Sequence, residues 1–136
     1  MTTSSDPSSA QPGPTESDGD SKFDDETRIR AAIADERSRT VEQIQNLERS
    51  FAAIVDAAEL TSTDDEHDPE GATIAYERAQ VWALLLQARH DLRALDSAIE
   101  RIAHDSLLTC AVCGGPIVLA RILALPGTTT CITCAM

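Results

Sequence analysis

Apolar residues recur at helical spacing over two long stretches of the chain. From about Asp24 to Leu60, Ile29, Ile33, Val41, Ile44, Leu47, Phe51, Ile54 and Ala58 return mostly at steps of three or four, with one gap near Arg37. That period places them on one face of an α-helix. Asp24, Asp25 and Glu26 stand at its start, where the helix dipole favours acids, and neither Gly nor Pro interrupts it. The second stretch runs from about Pro69 to His104. Its seam is Ile74, Arg78, Val81, Leu85, Ala88, Leu92, Leu95, Ile99 and Ile102, with steps of four and three alternating throughout and Arg78 its only polar member. This is a heptad pattern.

Between the two, Leu60 to Gly71 reads LTSTDDEHDPEG. Ser, Thr, Asp, Pro and Gly together are turn chemistry. Asp68 suits the N-cap of the second helix and Pro69 its first position. Two heptad-like helices joined by a short turn must pack antiparallel. At about 1.5 Å per residue each arm is on the order of 50 Å long. The expected fold is mainly α: a disordered acidic tail over 1–25, a long antiparallel helical hairpin (coiled coil) over 26–106 with an acidic tip at 61–71, and a small four-cysteine zinc-finger module over 107–136.

Composition agrees with a narrow seam. The aromatic residues are Phe23, Phe51, Tyr76 and Trp82, and the remaining apolar residues are mostly Ala, Leu, Ile and Val. The formal net charge is −12, and the seven acids and one Lys through Glu26 carry half of it. A tail of Ser, Thr, Pro, Gly and Asp has little to bury and cannot offset its ordering entropy. It reads as a solubilising leader or an acidic interaction arm. No basic cluster exists, and from Cys110 onward Arg121 is the sole Lys or Arg. Direct binding of nucleic acid is therefore not expected. The longest apolar run, Val81 to Leu86, is far short of a membrane span, and no basic leader precedes an apolar stretch. The expected location is the cytoplasm, where thiols stay reduced.

The C-terminus carries the chemistry. Cys110-x2-Cys113, seventeen residues, then Cys131-x2-Cys134 is the spacing of a four-cysteine zinc site. A CxxC turn sets two thiolates on one edge of a tetrahedron and points backbone N–H groups at the sulfurs. Gly114 and Gly115 permit the tight first turn. Four thiolates leave the zinc cluster doubly negative, with Arg121 the nearby side-chain cation able to offset it. With every position filled by Cys, no site remains for water or substrate, so the zinc is structural and the chain is not expected to be an enzyme. His104 is either a substitute ligand or a cation closing the second helix. His90 reads as an ordinary helix residue and His67 as a turn residue.

The Cys110-to-Cys134 segment resembles the C4-type zinc finger of the TraR/DksA family. The resemblance is carried by C-x2-CG-x-PI, then Arg121 and LALPGTTTC before the last knuckle. The long hairpin matches too, and the DPEGAT run from Asp68 to Thr73 is similar to the start of that family's second helix. It covers about residues 24 to 136, and the finger is its specific part. The resemblance implies a regulator that inserts a coiled coil into the secondary channel of bacterial RNA polymerase and brings tip acids to the catalytic centre; the chain is expected to be a monomer. Here those acids are Asp64, Asp65, Glu66, Asp68 and Glu70. The tip departs from the family's D-x-x-D-x-A pattern: Asp68 takes the first Asp, but Gly71 falls at the second and Thr73 at the Ala. No basic cluster matches a ppGpp site, and the sequence reads as a short form without the C-terminal helix of longer members. The other class left open is a zinc-stapled coiled-coil adaptor for a different protein, using exposed apolar residues such as Trp82 or Leu86.

Overall fold

The computed structural model describes residues 17–60 and 69–136. Two long helices dominate it: α1, Ser17–Leu60, and α2, Pro69–Ala103. A short helix, α3, Leu119–Ala124, lies within the C-terminal module. Among the described residues no strand forms, and one antiparallel bridge joins Thr109 to Pro116.

Helix α1 starts at Ser17, ahead of the start expected near Asp24, so the helix takes in the last residues assigned to the tail. Lys22 reaches just past the C-terminal end of α2, with Nζ 3.3 Å from Asp105. Further along, Arg37 pairs with Asp96 at 2.8 Å, Arg89 with Glu48 at 2.7 Å, and Phe51 meets Trp82 ring to ring at 5.5 Å. As the α1 number rises the α2 number falls, which fixes the two helices as an antiparallel hairpin. The ion pairs are solvent-exposed and contribute about 0–1 kcal/mol each; they report register rather than hold it.

The seam holds the helices together, and it departs from the sequence reading in three places. On α1 the gap near Arg37 is filled by Thr40, which is buried; its hydroxyl donates to the Glu36 carbonyl at 2.8 Å. That internal bond lets a polar residue occupy an apolar position at little cost, while Arg37 turns outward to Asp96. On α2 Arg78 is exposed rather than part of the seam. Ile99, also expected on the seam, is 41% exposed, and Ala98 is wholly buried in its place. The C-terminal module packs on this end of α2, so the covered face here is set by two neighbours rather than by α1 alone. The small Ala98 side chain permits their close approach.

One core results, at the base of the hairpin. Ile29 and Ile33 of α1, Leu95 and Ala98 of α2, and Leu107, Cys110, Ile117 and Ile122 of the module form a single buried cluster. Each large aliphatic side chain there contributes about 1.5–3 kcal/mol by burial. Beyond it, Leu85 and Ala88 are buried, while Ile44, Leu47, Phe51, Ile54, Ile74 and Val81 are half-buried. No helix is long and apolar enough to cross a membrane among the described residues.

Candidate metal centre

The module begins where α2 stops. Asp105 adopts a left-handed conformation (φ 56°), the Ser106 N–H returns to the Arg101 carbonyl at 3.0 Å, and the Asp105 N–H to Ile102 at 3.1 Å. This is a Schellman turn with Asp where Gly is usual, a position that Asp tolerates better than most residues. It reverses the chain into Leu107 and Leu108. Arg101, in the last turn of α2, donates from one guanidinium nitrogen to the Leu107 carbonyl and from the other to Thr128, both at 2.9 Å. One side chain thus ties the start and end of the module to the helix. Gly127 presses on α2 as well: a Cβ there would stand 3.2 Å from the Ala94 Cβ.

The first knuckle is a narrow hairpin. Cys110 N–H donates to Gly115 at 2.8 Å, Ile117 N–H to Leu108 at 2.7 Å, and Gly114 N–H to Cys110 at 2.9 Å. Gly114 has φ +70°, the left-handed conformation that closes the turn. Gly115 sends its N–H to the Cys113 Sγ at 3.4 Å. The second knuckle is built on α3, whose Ile122 is fully buried in the base core. Arg121 on the same helix donates from Nε to the Thr130 carbonyl at 2.9 Å, beside Cys131. Ala111 N–H donates to Thr129 at 2.9 Å and ties the two knuckles together.

All four cysteines meet. Their Sγ atoms lie within 4.8 Å of one another, and Cys113 and Cys131 are 3.8 Å apart. Tetrahedral coordination with zinc–sulfur bonds of about 2.3 Å requires sulfur–sulfur edges of about 3.8 Å, so the donor set and its spacing fit one zinc ion. None of the four is in a disulfide. His104 is exposed outside this cluster, and its backbone N–H donates to Glu100 at 3.2 Å in the last turn of α2. The substitute-ligand alternative therefore falls away.

The electrostatics suit anionic sulfur. Cys110 has its pKa lowered from 9.0 to about 6, first by the backbone N–H of Cys113 and then by those of Cys131 and Val112. The Cys131 N–H stands 3.3 Å from its sulfur. Cys131 is lowered too, chiefly by the backbone N–H of Cys134. Cys134 is pushed up to about 12 by the neighbouring Cys131 and Cys113 sulfurs. Backbone N–H groups favour thiolate at Cys110 and Cys131, and the neighbouring sulfurs disfavour it at Cys134. A zinc ion would supply positive charge there and displace the remaining protons.

Of the predicted tip acids, Asp64, Asp65, Glu66 and Asp68 lie outside the described residues, and Glu70 falls in the first turn of α2. The reading from sequence missed Arg101, Ala98 and Gly127. Ala94 and Ala98, four apart on α2, were the available sign that something packs closely there.

A closed four-cysteine zinc centre on a helical hairpin is the class that this fold and site define. Residues 105–136 match the model of the prokaryotic dksA/traR C4-type zinc finger. The chain therefore carries a dksA/traR zinc finger, and its cofactor is one structural zinc ion. The chain is also similar to the solved structure of transcription factor DksA2 from Pseudomonas aeruginosa, at 26% identity over 77% of this chain and 81% of that one, with a TM-score of 0.48. No curated protein matches.

Proposed function

We propose that this protein is a transcription regulator that binds RNA polymerase through its secondary channel, with Cys110, Cys113, Cys131 and Cys134 holding the zinc that anchors the hairpin. The observation that carries the reading is the dksA/traR finger at 105–136, fused through a shared core to the base of an antiparallel helical arm. The zinc has no catalytic part: four cysteines leave it no open position. Its role is to set the angle and footing of the arm.

The arm supplies reach. Helix α2 alone, at 35 residues, extends about 50 Å. The segment that joins the helices reads TSTDDEHD, with neither Lys nor Arg. Carboxylates of Asp64, Asp65, Glu66, Asp68 and Glu70, carried into a basic channel, would act by charge near the catalytic Mg2+ and shift the stability of initiation complexes. No bond is made or broken by this protein.

Binding and effect then separate under mutation. Asp64→Asn, Asp65→Asn and Asp68→Asn together are expected to leave the fold and most polymerase affinity intact and to abolish the effect on transcript yield. Affinity for core polymerase and transcript yield, measured in parallel, test this. Zinc-loaded protein that does not bind polymerase at all would overturn the reading. Full activity in the triple variant would keep the partner and remove the tip from the mechanism.

A further inference from the structure

Two arginines grip the backbone of the finger, and they do so differently. Arg121 holds Thr130 from α3, within the half of the module that carries the second knuckle. Arg101 reaches in from α2 and spans both halves, with one guanidinium nitrogen on the Leu107 carbonyl and the other on Thr128. The two acceptors are placed alike. Leu107 stands three residues ahead of Cys110, and Thr128 three ahead of Cys131. One planar fork thus holds the chain where it enters each knuckle. The face of α2 that carries Arg101 suits this. Ala94, Ala98 and Arg101 follow at steps of four and three and share one side of the helix. Ala98 is wholly buried, and Gly127 leaves no more than 3.2 Å between its Cβ position and that of Ala94. Two small side chains let the finger backbone lie close, and the arginine beyond them meets it.

We infer that Arg101 is a positioning residue for the metal: it sets the separation of the two knuckles from outside the coordination sphere and so raises the affinity of the four cysteines for zinc. Either CxxC pair alone supplies half of a tetrahedron, and affinity depends on what it costs to bring the pairs together. Bonds that already hold them at that distance lower the cost. The Ala111–Thr129 bond joins the knuckles directly. Arg101 adds two charge-assisted bonds, which are among the stronger kind, and ties both knuckles to the rigid helix. Geometry rather than charge carries the effect. A guanidinium fixes its donors in one plane, whereas a lysine ammonium is a point charge on a flexible stem. The role is independent of the polymerase reading and holds whatever partner the arm meets.

Zinc competition against a chelator tests this on the full chain, with the variants Arg101→Lys, Arg101→Ala and Arg121→Ala. Removing a partner outside the coordination sphere typically lowers metal affinity about 10–100-fold. Arg101→Lys and Arg101→Ala should each lose about tenfold or more, at the same zinc stoichiometry and with the helical far-UV signal retained. Arg121→Ala should lose distinctly less, because Arg121 does not bridge the knuckles. Where Arg101→Ala loses helical signal, Arg101→Lys decides alone. Parental zinc affinity in Arg101→Lys would overturn the inference, since charge without the fork would then suffice. An equal loss in Arg121→Ala would overturn it too, by making any cation near the cysteines equivalent.

Discussion

The two ends of the hairpin are built from the same helices and held in different ways. At the base, α1 and α2 share a buried cluster with the zinc module, and one of the four cysteines, Cys110, is itself a core residue at 2% exposure. Farther out, among the described residues, the helices pack on each other, and apart from Thr40, Leu85 and Ala88 their seam is half-buried. The metal and the core at the base are therefore one cooperative unit, whereas the outer arm depends on a narrow seam. A rigid footing beneath a slender arm is what a probe of fixed reach requires.

Metal removal should widen that difference most. Chelation of zinc, or Cys110→Ser, is expected to unfold the finger and also to loosen the base of the hairpin, because Cys110 belongs to the same buried cluster as Ile29, Ile33 and Leu95. Hydrogen exchange should show protection lost around Ile29–Ile33 and Leu95–Ala98 as well as in the finger. Protection retained there would separate the two units. Zinc affinity should fall as pH falls, since protons compete for the sulfurs. Zinc competition assays across pH measure it.

Core substitutions come next. Ile33→Ala should cost about 2–5 kcal/mol, as for a fully buried aliphatic residue, and half-buried Ile54→Ala distinctly less, by chemical denaturation. Leu85→Asp puts an unpaired charge in the seam and should cost about 3 kcal/mol or more. Arg101→Ala should cost about 1–3 kcal/mol by leaving the Leu107 and Thr128 carbonyls without their donor. Breaking the exposed Arg37–Asp96 pair should cost about 1 kcal/mol at most.

Most of the architecture was legible because periodicity and metal-ligand spacing are local signals. The heptad steps located both helices, and two CxxC pairs located the metal site. What escaped was set by contacts distant in sequence. Whether Ala98 or Ile99 faces inward depends on where the finger docks, and heptad counting on α2 alone favours the larger residue. Arg101 resembles any basic residue at a helix end until its two carbonyl partners come from positions 107 and 128. Thr40 stood one place from Val41 in the expected seam, and its hydroxyl disguised a buried position.

The claim that the arm carries an acidic tip into RNA polymerase is tested most directly by location. A photo-crosslinking residue in place of Asp65, in the zinc-loaded protein bound to polymerase, reports what the tip touches. Crosslinks to polymerase residues lining the secondary channel beside the catalytic Mg2+ are expected. Binding that persists with crosslinks only to the outer surface of polymerase would contradict the claim.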